Sequence, residues 1–314
     1  MRIVFMGTPD FAVESLKILV ENHYNVVGVV TMPDKPAGRG HKVQYSAVKQ
    51  YALEHQLILL QPEKLKEDSF LVDLRALNAD LQIVVAFRML PEVVWDMPRY
   101  GTFNLHASLL PQYRGAAPIN WAVINGEKET GATTFFLTHE IDTGKIILQE
   151  KISINENENA GAVHDKLMML GAQMVKKTVD LIGEGKADAI DQSVFISEVG
   201  ELKSAPKIFK ETCQVDMNAT VEDVHNHVRG LSPHPAAWSE LQLPGQSEKT
   251  VFKIFETQME ITNHEYSSGT ILTDNKTFMK IALKNGFIHL KNIQTAGKKR
   301  MEITDFLRGI RLNA

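Results

Sequence analysis

Apolar and polar positions follow two different rhythms along the chain. In the first two thirds, short continuous apolar runs at residues 3–6, 26–30 and 83–87 alternate with stretches of helical spacing. The runs are rich in β-branched residues, as expected of strands covered on both faces. Between them, Phe11, Val13, Leu16, Leu19 and Val20 fall on one face of a helix over 11–21. Helices are also expected over 46–54 and 70–77, with a strand at 57–60. This β-α-β-α order predicts a mostly parallel sheet with helical crossovers. A further strand at 101–105 leads into an irregular loop that ends near Pro118. Residues 130–137 and 145–154 read as antiparallel neighbours joined by the 138–144 loop, and 160–182 as a long amphipathic helix.

The rhythm changes near residues 190–210. Beyond Lys207 the pattern is one of short strands, at 251–256, 269–272, 278–283 and 287–293, separated by turns such as Asp274-Asn275 and Asn285-Gly286. An Asn-Gly pair between apolar runs is a strong hairpin signal. Helices are expected only at 220–229 and 304–308. The fold class that follows is α/β. A Rossmann-like domain with a mostly parallel sheet covers 1–205, and a small C-terminal β-barrel of oligonucleotide-binding type covers 206–314.

Composition narrows this further. The 314 residues are 44% apolar, enough for two ordinary cores. Cys213 is the single cysteine, which rules out an internal disulfide, disfavours a cysteine metal site and suits a reducing cytoplasmic setting. The first apolar run is too short for the core of a signal peptide, and no run approaches a membrane span. The net charge is −4, so a general nucleic-acid binder is disfavoured. Residues from 207 onward carry 14 basic and 12 acidic side chains, a net of +2, against 20 and 26, a net of −6, before them. Any contact with RNA would have to come from local patches.

Candidate chemistry sits in a few loops. The turn Gly7-Thr8-Pro9-Asp10-Phe11 follows a strand and opens a helix, with Thr8 or Asp10 near the cap. It has one glycine where a dinucleotide fingerprint wants three, so a nicotinamide enzyme is disfavoured. Asn104 and His106 lie two apart at the end of a strand, so both side chains address one face. An amide there can donate to a developing oxyanion, and an imidazole can move a proton. Taken alone, the pair is a weak signal and reads more readily as a structural histidine. Asp142-Thr143-Gly144 supplies a carboxylate able to orient or charge that imidazole, although an Asp-x-Gly is ordinarily a turn. His225, His227 and His234 lack ligand partners at known spacing, so no metal is expected.

With these stretches, the chain closely resembles the folate-dependent formyltransferase superfamily. The resemblance runs from Gly7–Phe11 through Pro33–Gly40, Val84–Phe87, Asn104–Pro111, Arg114–Ile119 and Asp142–Gly144 to Ala296–Lys299. It implies that Asn104, His106 and Asp142 form a catalytic trio, that Ser108, Leu109, Leu110 and Pro111 belong to the tetrahydrofolate site, and that 10-formyltetrahydrofolate is the formyl donor. The loop at 33–45 and the C-terminal domain resemble the tRNA-formylating branch. That likeness implies an initiator methionyl-tRNA as partner and contacts from the loop, where Lys35, Arg39 and Lys42 suit phosphates; by charge and position Lys207, Lys210, Lys298 and Lys299 further on can add to them, and a monomer is expected. Three departures stand out. Phe87-Arg88-Met89-Leu90-Pro91 is one residue shorter than the family's pterin-side run. Glu140 stands where glycine is frequent. Gln214-Val215-Asp216-Met217 replaces an Arg-Ile-Asp-Trp run. Formyl transfer to a small amine, formyl-folate hydrolysis and a non-catalytic RNA-binding module are the competing readings.

Overall fold

The computed structural model describes residues 1–37 and 42–309, with the backbone alone for 35–37, 42–43 and 197–199. Strand β1 (Arg2–Gly7) begins the chain and is followed by α1 (Asp10–Glu21), β2 (Asn25–Val30), β3 (Lys35–Ala37), β4 (Lys42–Gln44) and α2 (Ala47–Glu54). Next come β5 (Leu59–Leu60), α3 (Asp68–Ala76), β6 (Leu81–Val85), α4 (Glu92–Trp95), β7 (Thr102–His106), β8 (Arg114–Gly115) and α5 (Pro118–Ile124). The middle of the chain forms β9 (Glu129–Phe136), β10 (Ile146–Ser153), α6 (Ala160–Gly183), α7 (Ser193–Val199) and β11 (Ser204–Ala205).

Seven of these strands make one sheet in the order β10-β9-β7-β6-β1-β2-β5. The pairs β1/β2, β1/β6, β2/β5 and β6/β7 are parallel, and β9 joins β7 antiparallel. The expected mostly parallel α/β sheet is therefore present. Strand β1 is central because Ile3, Val4, Phe5 and Met6 are fully buried. Each such side chain contributes about 1.5–3 kcal/mol when taken from water. On one face, Val4, Met6, Val30 and Val84 pack against Phe70, Leu71 and Leu74 of α3. Helix α1 turns Phe11, Ala12, Ser15, Leu16 and Leu19 inward, the i, i+4, i+8 pattern of its sequence. Its N-cap is Pro9 and carries no side-chain cap bond. Asp10 instead accepts from the neighbouring Phe11 N–H, and Thr8 Oγ1 is buried without a partner among the described residues.

The structure departs from the expected elements in two places here. Strand β5 keeps two residues of the expected four. The 33–45 stretch, expected to be a loop, includes the short antiparallel pair β3/β4, in which Lys35 faces Gln44 and Ala37 faces Lys42. Local charge and proline content hide the hairpin's pairing. Its base is anchored by Lys49 Nζ donating to Asp34 Oδ2 at 2.5 Å, which holds the Asp34 carboxyl below its ordinary range, with help from Gln61.

The chain divides into two compact units: Met1–Gly115, Gly131–Ile152 and His164–Ser204 form one, and Ala116–Thr130, Ser153–Val163 and Ala205–Ala314 the other. The second is built on a curled antiparallel sheet of β12 (Ala237–Gln242), β13 (Lys249–Ile261), β14 (Ile271–Thr273), β15 (Met279–Leu283), β16 (Gly286–Thr295) and β17 (Met301–Glu302), with α8 (Val221–Leu231) and α9 (Ile303–Arg308). Helix α8 starts with a capping box between Thr220 and Asp223. It packs Val221, Val224, Val228 and Leu231 into a core with Phe252, Ile254, Ile288 and Leu290. Strand β12 was not foreseen. The expected Asn285-Gly286 turn is shifted by one. Leu283 pairs with Gly286, so Lys284 and Asn285 make the turn and Gly286 opens β16. A Cβ on Gly286 would lie 2.1 Å from Glu260 O, and the Asn285 side chain instead accepts from Val221 N–H at 2.9 Å, at the start of α8.

His225 is buried in this unit with Nδ1 2.9 Å from Thr257 Oγ1, and His227 is half-buried. Burial lowers the pKa of both below the ordinary histidine value. A histidine held neutral in the fold takes up its proton less readily than in the unfolded chain. Stability is therefore full above about pH 6.5 and declines as pH falls below it. The thermal midpoint of the full chain should drop between pH 7 and pH 5, and His225→Gln should flatten that slope. An unchanged slope would show that these histidines do not couple to folding.

Candidate active site

Strand β7 ends with the sequence Asn104-Leu105-His106. Its register sets Asn104 between Val84 and Phe135, and His106 beside Thr133. The two-residue spacing directs Asn104 and His106 to the same face. Asn104 is half-buried, and its amide makes no hydrogen bond among the described residues. His106 is 6% exposed. Its Nε2 lies 2.9 Å from the Tyr113 carbonyl oxygen. A carbonyl can only accept, so Nε2 carries the proton and Nδ1 is the free ring nitrogen of the neutral imidazole. Nδ1 faces Asp142 Oδ2 at 3.9 Å. That separation exceeds a direct hydrogen bond and leaves the carboxylate able to act on the ring through space or a water molecule.

Asp142 is itself positioned. Its Oδ2 accepts from the Gly115 backbone N–H at 2.9 Å. Its backbone is left-handed, at φ 56°, as are those of Ala86 and Tyr113, two other loop residues of this unit. Such conformations cost on the order of 1–3 kcal/mol for residues with a Cβ, and they cluster where neighbouring structure over-determines the chain. Two residues on, Gly144 comes so close to β9 that a Cβ would stand 1.6 Å from Phe136 O. Thr138 and Thr143 bond each other at 3.1 Å, and Thr143 also donates to the Glu140 carbonyl at 3.1 Å. Glu140 thus contributes its main chain to the loop while its side chain stays exposed.

The segment after His106 is held from within. Ser108 Oγ donates to Gln112 O at 2.6 Å, and Thr133 Oγ1 donates to Ser108 O at 2.6 Å. Leu110 N–H donates to Thr133 Oγ1, and Gln149 Nε2 donates to Leu110 O at 2.8 Å. Leu110 packs with Phe135 and Ile146, Pro111 is buried, and Leu109 is half-buried. The Ser108 hydroxyl is committed to the loop and shapes it.

Arg88, the charged departure from the family pattern, turns away. It donates to the carbonyls of Pro62 and Glu63, and burial lowers its pKa. Met89 beside it is 71% exposed and presents apolar surface. The other departure, Gln214–Met217, is structural. Val215 sits in the core of the second unit, and its N–H donates to Trp238 O at 2.9 Å.

Of the basic candidates, Arg39 lies outside the described residues, and for Lys35 and Lys42 only the backbone of the β3/β4 hairpin is described. Lys207, Lys210, Lys298 and Lys299 are exposed on the second unit. Lys207 lies over the Phe209 ring and Lys210 over Trp238, each at 5.6 Å. No described helix is long and apolar enough to cross a membrane.

One residue with a place in this arrangement was missed from the sequence. Gln192 is 2% exposed, and its amide joins the Asp142 loop to Arg114. It sits in a polar stretch with no motif around it, and only tertiary contact reveals it.

Comparison with known proteins agrees with this architecture. A formyl transferase model matches residues 1–179, and a model of the formyl transferase C-terminal domain matches residues 207–311. The chain is 62% identical to a methionyl-tRNA formyltransferase of Bacteroides fragilis over 99% of its own length and 96% of that protein. It is 61% identical to the methionyl-tRNA formyltransferase of Parabacteroides distasonis over the same shares. Among solved structures, an N-formyltransferase from Helicobacter canadensis in complex with folinic acid and dTDP-3-aminofucose superposes with a TM-score of 0.61, at 20% identity, over 93% of this chain and 98% of that one. The last likeness is one of fold. The two family models and the relatives above 60% identity together establish that the chain belongs to the formyl transferase family.

Proposed function

We propose that the chain transfers a formyl group from 10-formyltetrahydrofolate to the free amine of initiator methionyl-tRNA, with Asn104, His106 and Asp142 as its catalytic residues. The observation that carries the reading is the free Nδ1 of His106 facing the Asp142 carboxylate at 3.9 Å, with Asn104 on the same strand face. The neutral amine attacks the formyl carbon, and the formyl oxygen becomes an oxyanion. Asn104 Nδ2 donates to that oxygen. His106 Nδ1 and the Asp142 carboxylate hold and pass the proton that the attacking nitrogen loses. The carbon–N10 bond then breaks, N10 leaves with a proton, and the formyl group remains on the methionyl nitrogen.

Several features support the substrates. A pterin has flat apolar faces and a polar edge. The parallel strands reverse their winding order between β1 and β6, which is where ligands bind in open α/β sheets. There the Thr8 hydroxyl after β1 is unpartnered among the described residues, and Met89 after β6 offers exposed apolar surface. In this reading Ser108, Leu109, Leu110 and Pro111 form the wall beside the folate. The relatives above 60% identity are methionyl-tRNA formyltransferases, which favours the tRNA acceptor over a sugar amine. Residues 1–205 are the catalytic domain of a cytoplasmic monomer that needs no metal, and 206–314 bind tRNA. Lys35, Arg39 and Lys42 meet the acceptor end, and Lys207, Lys210, Lys298 and Lys299 meet phosphates.

Incubation with 10-formyltetrahydrofolate and charged initiator tRNA should place formyl on the methionine, with binding that weakens steeply as salt rises. Faster formylation of an amino sugar nucleotide or of glycinamide ribonucleotide would overturn the acceptor. Release of free formate at the same rate without any amine would make the chain a hydrolase.

A further inference from the structure

We infer that Gln192 is a positioning residue for the reaction, acting through Asp142; the inference rests on the catalytic reading above. A buried glutamine amide has two N–H donors and an oxygen that accepts through two lone pairs, all of fixed geometry. Here all four are used across two loops. Nε2 donates to the carbonyl oxygens of Asp142 at 2.9 Å and Gly144 at 2.8 Å. Oε1 accepts from Arg114 Nη2 at 2.6 Å and Nε at 3.2 Å. The next residue after Arg114 is Gly115, whose N–H holds the Asp142 carboxylate at 2.9 Å. One amide therefore ties the backbone of Asp142 to the same short segment that grips its side chain.

The closed circuit explains how Asp142 keeps its left-handed backbone at φ 56°. Without the Nε2 donors, the part-buried Asp142 carbonyl and the buried Gly144 carbonyl lose a partner and the strained residue can relax. Relaxation would swing the carboxylate relative to His106 Nδ1, now 3.9 Å away. Displacement of a catalytic group by about 1 Å costs on the order of 10²-fold in rate.

The test compares wild type, Q192A, Q192E, D142A and Q192A/D142A in the full chain, reading kcat, KM for each substrate and the thermal midpoint. Q192E keeps the acceptor for Arg114 and deletes the two donors. Q192A and Q192E should each lower kcat by about 10²-fold with both KM values within about threefold. In the D142A background, Q192A should add less than about twofold, because the residue it acts through is gone. If Q192A melts below the assay temperature, Q192E carries the comparison. Full turnover in either folded Gln192 variant, with D142A inactive, would overturn the positioning role alone. Recurrence of the whole loss in the D142A background would overturn it as well, since Gln192 would then act elsewhere. Wild-type turnover in D142A would overturn the catalytic reading, and this inference with it.

Discussion

Replacing His106 with alanine is expected to lower kcat for formyl transfer by about 10²–10⁴-fold. The size follows from what the ring does in this position. Its Nε2–H is spent on the Tyr113 carbonyl at 2.9 Å, which fixes the ring plane and leaves one nitrogen for chemistry. That nitrogen faces a carboxylate which Gly115 N–H holds in place. Alanine removes the proton carrier and leaves the neighbouring groups where they are. The structural cost is the hydrogen bond to Tyr113 O, about 1–3 kcal/mol for the acceptor left behind, together with the packing of a buried ring against Phe135, so the thermal midpoint is read beside the rate. The loss should fall on kcat, with folate binding close to wild type. Asn104→Ala should cost about 10²–10³-fold by removing an oxyanion donor. Single-turnover formylation at saturating substrates, beside folate binding followed by fluorescence, separates the two effects. Turnover of His106→Ala within about tenfold of wild type would sink the role assigned to the imidazole.

The parts of this site that could be read in advance are those written in local periodicity. Asn104 and His106 share a face because strands alternate, and the strand announces itself through the buried Phe103 and Leu105 beside the continuous buried run Ile83–Val85 of the neighbouring β6. The Asp142 loop was legible as an Asp-x-Gly turn between two strands. Its geometry was not, because the left-handed backbone of Asp142 depends on contacts 27 and 50 residues away in sequence, to Gly115 and Gln192. The order of the longer helices and of the sheet strands in the first unit followed the apolar pattern, whereas short elements such as α4 and α7 left no mark in it. The second unit was less transparent. Strand β12, with Ala237, Ser239 and Leu241 buried, alternates as a strand should, yet it follows a proline-rich turn that masks its start. The hairpin turn shifted by one residue because Gly286 is needed for close approach to Glu260, a tertiary demand that outranks the preference for Asn-Gly in the turn itself. Arg88 shows the opposite case. Its charge invites a functional reading, and the structure directs it to two backbone carbonyls.

Gly144→Ala is expected to destabilise the first unit by about 4 kcal/mol or more and to abolish transfer even where the chain still folds. The added Cβ would stand 1.6 Å from Phe136 O and 2.8 Å from Phe136 C, both backbone atoms. Real Cβ contacts essentially never fall under 3.0 Å, so the main chain itself must separate. Phe136 cannot easily yield, since its N–H donates to Lys145 O at 3.0 Å and the next N–H, of Leu137, donates to Thr102 O on β7 at 2.8 Å. Gly144 must move instead. Its carbonyl would then leave Gln192, and Asp142, two residues earlier, would move with it. Gly185→Ala is the control. That glycine has φ +69°, and no atom of the described residues lies within 4 Å of its Cβ position, so only the left-handed backbone cost of about 1–2 kcal/mol applies. Chemical denaturation of both variants, with formylation rates measured on whatever folded fraction remains, should show a large loss at 144 and a small one at 185. Equal stability losses in the two variants would mean that the close approach of Gly144 to β9 does not hold the catalytic loop.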